Sequence, residues 1–122
     1  MIKSIDLAWI AVESIKKSLH FFTETLGMKI SSGDEKYKWV ELVGNNGGML
    51  LGIAETLPES IVKPGQNAVI TITVESLNQA YDMLMKNGVN FIGDIMEIPG
   101  HVKMIWFKDI DGNAFQLVEK LD

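Results

Sequence analysis

Two stretches of the chain change their hydrophobic period in the same way, 62 residues apart. "IAVESI" begins at Ile10 and "ITVESL" at Ile72. Before each glutamate the pattern is that of a strand; after each serine it becomes helical. Ile15, Leu19, Phe22 and Leu26 fall at i, i+4, i+7 and i+11, one apolar face of a 3.6-period helix. Leu77, Ala80, Tyr81 and Leu84 make the corresponding stripe in the second copy. Ser14 and Ser76 stand where helix N-caps are expected, and Ser76 with Gln79 has capping-box spacing. Gly27 and Gly88 stand where each helix closes.

Each predicted helix precedes three strand candidates. In the first half these are "GMKIS", "YKWVELV" and "GMLLGIA", the last two joined by the turn "GNNGG". In the second half they are "VNFIG", "VKMIWF" and "NAFQLVE", with the turn "DIDGN" before the last. Ile53-Ala54-Glu55 and Leu117-Val118-Glu119 close the two halves. "TLPESIVKPGQN" between the halves is polar, holds two of the three prolines and reads as a linker. The order is therefore βαβββ, linker, βαβββ. Module 1 covers about residues 1–55, the linker about 56–66 and module 2 about 67–122, together one α+β domain. A duplicated module explains the repeated hexapeptide.

Composition narrows the chemistry. A chain of 122 residues, 47% hydrophobic and 22% charged, has enough apolar content for a packed core and is not of the disordered class. There is no cysteine, which excludes disulfides, thiolate metal sites and thiol catalysis, and fits a reducing cytoplasm. A net charge of −5 with scattered lysines argues against nucleic acid. No apolar run approaches a bilayer span, so no membrane partner is expected. "MIKSIDLAWIAV" reads as a first strand, not a cleaved leader. Phosphate-cradling glycine loops and nucleophile elbows are absent. "DIDGN" opens like a calcium loop but has Lys120, not glutamate, at the twelfth position; it reads as a turn.

The paired modules, the segment "IDLAWIAVESIKKSLHFFTETLGMKI" and the closing "FKDIDGNAFQLVE" resemble the vicinal oxygen chelate superfamily. That superfamily includes glyoxalase I, extradiol dioxygenases and the fosfomycin and bleomycin resistance proteins. Ile110 stands where its closing motif usually has proline. The resemblance spans the whole chain and implies two curled mixed sheets that enclose a cup, and a homodimer. Its metal-dependent members place four ligands in the cup. Those positions fall here on Leu7, Gly52, Val69 and Gln116. Three offer no lone pair, and one glutamine does not hold a divalent ion against water. No metal and no other cofactor is therefore expected.

Strand alternation places other side chains on the faces of those positions. Trp9 shares the face of Leu7, Thr71 and Thr73 that of Val69, Leu50 and Ala54 that of Gly52, and Ala114 and Val118 that of Gln116. Trp9, Thr71, Thr73, Gln116, His101 and Trp106 are the candidate ligand-binding residues. The parity of Trp106, and of Trp39 in the equivalent strand, stays open. Gln116, in an otherwise apolar strand, needs hydrogen-bond partners once buried. His101 lies in the loop "IPGHVK"; His20 falls off the apolar stripe and reads as a surface residue.

These features suit a metal-free protein that binds or sequesters a small apolar or aromatic molecule. Three alternatives stand beside it. One is a metal-dependent lyase, isomerase or dioxygenase whose site is unrecognised or completed by a partner chain. Another is a metal-free isomerase with His101 or Glu41 as base. The last is a structural or regulatory protein whose cup is filled by its own side chains.

Overall fold

A computed structural model describes residues 5–121 together with Met1 and Lys3. Ile2, Ser4 and Asp122, which the expected module boundaries include, lie outside the described residues. The chain forms two compact units, residues 1–67 and 68–122, so the proline-containing segment belongs to the first.

The first unit runs β1 (Leu7–Val12), α1 (Ile15–Leu19), β2 (Lys29–Asp34), β3 (Trp39–Gly44) and β4 (Gly47–Glu55). The second runs β5 (Ile70–Thr73), α2 (Leu77–Lys86), β6 (Asn90–Ile98), β7 (Val102–Lys108) and β8 (Ala114–Lys120). Each unit is βαβββ. The sheet orders are β1-β4-β3-β2 and β5-β8-β7-β6, in each case with the first strand parallel to the last and the others antiparallel. Both sheets are open, with no closure into a barrel.

The hydrophobic alternation is realised as one covered and one open face per sheet. In the first unit Ile10, Val12, Val40, Leu42, Leu51 and Ile53 are buried together with Ile15, Leu19 and Phe22 of the helical segment. In the second unit Ile105, Phe107, Phe115 and Leu117 are buried with Leu77 and Leu84 of α2. Phe107 and Phe115 stack at 5.2 Å between ring centroids.

The duplicated sequence marks have a mechanical reason. Ser14 Oγ accepts from Lys17 N and Ser76 Oγ accepts from Gln79 N, both at 3.3 Å. The glutamates that close the modules complete the same caps. Ile15 N donates to Glu55 Oε1 at 2.9 Å, and Leu77 N donates to Glu119 Oε1 at 2.7 Å. Each module's last strand thus supplies an anion to its own helix N-terminus, where unpaired N–H groups and the helix dipole favour negative charge. That hydrogen bond holds Glu55 below the usual carboxylate range against the opposing effect of burial, and Lys38, 3.4 Å from Glu55 Oε2, adds to the lowering.

The first helix departs from the simple stripe. Beyond α1 the chain continues helically over His20–Thr25 with wider turns, and Leu26 N donates to Phe21 O. The extra residue per turn lets Phe21 and Phe22 both be buried, edge to face at 5.1 Å, while Leu26 is only partly covered. Gly27, at φ 76°, then closes the segment as expected.

The two turns also resolve. In "GNNGG" Asn45 and Asn46 keep negative φ, and Gly47 takes φ 80° as a glycine bulge, where the strand register shifts. In "DIDGN" the buried Asp109 organises the loop. Its Oδ1 accepts from Asp111 N and Asn113 N at 3.0 and 2.8 Å, and its Oδ2 from Asn113 Nδ2 at 3.0 Å. Burial raises the Asp109 carboxyl above its ordinary value, and these hydrogen bonds oppose the rise. The loop is a structural turn.

Candidate functional site

On the open face of the first sheet, strand register sets Trp9, Gly52 and Glu41 in one row across β1, β4 and β3. Trp39, paired with Ala54, is two residues from Glu41 on the same face. The missing side chain of Gly52 decides what happens there. A Cβ at residue 52 would lie 2.5 and 2.8 Å from the outer ring atoms of Trp39 and 2.9 Å from Trp9 Cβ. The Trp39 indole therefore occupies the room that a residue-52 side chain would take. Its other end is anchored, since Trp39 Nε1 donates to Glu41 Oε2 at 2.9 Å. Trp9 meets Trp39 edge to face at 6.2 Å and keeps 45% of its surface exposed. The face is thus an aromatic floor running from Trp9 across Gly52 to a carboxylate.

Trp9 also borders a concavity of about 440 Å³, lined otherwise by Ala54, Glu55, Thr56, Ser60, Ile61 and Val62. The segment read as a linker forms one wall. It is built from two self-satisfied turns: Leu57 N donates to Ser60 Oγ, Ser60 N to Leu57 O, Lys63 N to Gln66 Oε1 and Gln66 N to Lys63 O. Two turns of this kind hold Ile61 out, 96% exposed. Sequence reasoning passed over this wall, although "SIV" within a polar stretch was a visible signal.

The second sheet has its own row on the open face: Thr71, Gln116, Trp106 and Ile92 across β5, β8, β7 and β6. Trp106 is 36% exposed and Ile92 43%. Thr73 lies in the next row, with Val118, Met104 and Met96. Gln116 satisfies its amide within the face: Thr71 Oγ1 donates to its Oε1 at 3.2 Å, and its Nε2 donates to Met104 Sδ at 3.1 Å. The open parity of the tryptophans is now resolved, with Trp39 and Trp106 both on the open faces of their sheets.

His101 is not brought to this row. It sits exposed in the turn between β6 and β7, its N–H bonded to Ile98 O. Five residues of strand, roughly 17 Å, separate it from Trp106. The turn carries His101 past the end of the sheet, apart from the row that holds Gln116 and Trp106. His20 is exposed, as a residue off the helical stripe should be.

The residues at the family's metal positions do not suit a cation. Leu7 and Val69 lie two residues along from Trp9 and Thr71 and have no donor atom. Gly52 has no side chain, and the space for one is taken by Trp39. Gln116 is already engaged by Thr71 and Met104. Among the described residues, no three His, Asp or Glu side chains gather as a metal site requires. Among the described residues, too, no helix is long and apolar enough to cross a membrane.

Tandem βαβββ modules with open mixed sheets define the class of fold. The family model described as the Glyoxalase/Bleomycin resistance protein/Dioxygenase superfamily matches residues 4–117, and the chain belongs to that superfamily. It is 30% identical to the uncharacterised protein YetH of Bacillus subtilis, over 98% of this chain and all of that one. It is 29% identical to metallothiol transferase FosB of Staphylococcus haemolyticus, over 96% of this chain and 84% of FosB. Among solved structures, a superfamily member from Sphaerobacter thermophilus superposes with a TM-score of 0.82 at 28% identity, covering 98% of both chains. TnmS3, an antibiotic binding protein from a Streptomyces species, superposes at 0.81 over 98% of this chain and 97% of TnmS3; at 20% identity the likeness is one of fold.

Proposed function

We propose that the protein binds a small, partly apolar or aromatic molecule and does so without a metal. The observation that carries this reading is Trp9, nearly half exposed on an aromatic sheet face and bordering an apolar concavity. A large ring left open to water costs hydrophobic stabilisation unless something covers it, and a flat ligand is a suitable cover. Thr71, Thr73, Gln116 and Trp106 offer a second ring with hydroxyls and an amide on the other sheet. His101 enters the proposal only through a long ligand or an adaptable turn. The same reading makes the protein a cytoplasmic homodimer with no nucleic-acid or membrane partner, supported by the cysteine-free, acidic composition and by the habit of the superfamily.

The likeness to FosB favours a metal-dependent transferase, but the donor set argues against carrying that activity over. A metal-free acid–base enzyme is the second reading, favoured by the Glu41 carboxylate on the open face. The test is a fluorescence titration of the tryptophans in chelator-treated protein with small aromatic and apolar molecules. Saturable changes, indifferent to added nickel, zinc, manganese or iron, are expected. Retention of about one metal ion per chain after dialysis, with ligand binding only in its presence, would sink the proposal.

A further inference from the structure

Resting on that binding reading, we infer that the open face of the first sheet selects organic cations: a protonated or quaternary ammonium group carried on an apolar body. Three side chains of one face converge on this chemistry. Trp9 and Trp39 present rings at 65° to one another, so an approaching group meets one ring's face beside the other's edge. A cation is drawn to the electron-rich face of an indole, the strongest of the aromatic side chains in this respect. The far end of the Trp39 ring terminates at Glu41, whose Oε2 is held by the indole N–H. Among the described residues Glu41 has no cationic partner. The nearest lysine in sequence, Lys38, is committed to Glu55 at 3.4 Å. A negative charge thus stands at the edge of an aromatic floor, fixed in direction by the floor itself.

The arrangement also disfavours the wrong ligand. A neutral apolar molecule laid over Trp39 would strip water from the Glu41 carboxylate and give nothing back. An anion would be repelled outright. Gly52 is what makes room for this geometry, because any side chain there would displace the Trp39 ring from between Trp9 and Glu41. The concavity beside Trp9 receives the apolar body of the ligand, and Ile61 and Val62 line it.

The experiment compares benzyltrimethylammonium with its uncharged carbon analogue neopentylbenzene, by tryptophan fluorescence and by competition, on the wild-type protein. The cation is expected to bind at least about tenfold more tightly. Glu41→Gln, which keeps an acceptor for the Trp39 N–H and removes the charge, should bring the two ligands within about threefold. Trp9→Leu should weaken both, the cation more. Equal affinities in the wild-type protein overturn cation selection while leaving small-molecule binding intact. If neither probe binds while other small aromatic molecules still quench the tryptophans, cation selection falls and the binding reading stands; if no small molecule of either kind binds, both proposals fall. A preference left undiminished by both Glu41→Gln and Trp9→Leu, in variants shown to be folded by circular dichroism, also overturns the inference.

Discussion

Gly52→Ala tests the reasoning at its narrowest point. Gly52 has no left-handed backbone angle, so alanine carries no conformational penalty there, and the substitution adds one methyl group to a place already filled. That methyl would sit 2.5 Å from the Trp39 ring and 2.9 Å from Trp9 Cβ, inside the closest approach that carbon atoms tolerate. The ring is rigid and the Trp9 Cβ is tied to its strand, so neither yields easily. Trp39 must tilt away, and its hydrogen bond to Glu41 is lost or stretched. Overpacking of this kind costs roughly 1–3 kcal/mol. Restriction of the unfolded chain by alanine returns about 0.4–1 kcal/mol. The net loss falls between about 0 and 2.6 kcal/mol, centred on about 1.3 kcal/mol, or a fall in Tm of roughly 4–8 °C at that central value for a chain of this size.

Gly44→Ala is the matched control. Gly44 also lies in a strand without a left-handed angle, and its nearest atom to an added Cβ is a carbonyl oxygen at 3.6 Å, ordinary contact. It should be neutral or slightly stabilising. The assay is thermal and urea denaturation of both variants, with tryptophan emission of the native state recorded alongside. If Gly52→Ala is as stable as Gly44→Ala and its emission is unchanged, Trp39 does not fill the space over residue 52, and the argument against a ligand side chain there fails with it.

Other substitutions read out the caps, turns and core. Glu55→Gln should cost about 0.5–2 kcal/mol at neutral pH by urea denaturation, because the charged acceptor for Ile15 N is lost. Because the folded-state pKa of Glu55 is lowered, its contribution is present above the ordinary carboxylate range and is lost as pH falls through the folded value. Wild type should therefore lose its advantage over Glu55→Gln on acidification, and a constant gap from pH 7 to pH 3 would contradict the assignment. Asp109 has the opposite sign: its raised pKa makes the ionised form a cost, relieved as pH falls from the raised value through the ordinary one. Asp109→Asn turns an amide N–H₂ group toward Asn113 or leaves it unbonded, and a loss of roughly 1–3 kcal/mol is expected in thermal unfolding at neutral pH. Ser18 Oγ is buried with no hydrogen-bond partner among the described residues, so Ser18→Ala should stabilise by about 0.5–1.5 kcal/mol; destabilisation in the same assay would mean that a partner had gone unrecognised.

Periodicity and capping residues determined the element order of this protein without any structure. The switch from strand to helix after Ser14 and Ser76, the glycines that close both helices and the two turn signals are local facts, set by backbone sterics and by hydrogen bonds within a few residues. Alternation within a strand also put Trp9 on the face of Leu7, because side-chain direction has a period of two; Val69 lies just before β5, so the same rule does not reach it. What no local rule supplied was register between strands. Register brings Trp9, Gly52 and Glu41 into one row, swings Trp39 over the glycine, ties Gln116 to Thr71 and Met104, and leaves His101 beyond the end of its sheet. It also matches Glu55 to Ile15 and Glu119 to Leu77, which explains why "VES" and the closing glutamates are repeated together. These contacts join residues that lie as much as 45 positions apart, and their energies depend on which strands pair. The periodicities of one chain, read in order, are blind to that choice; the folded sheets make it.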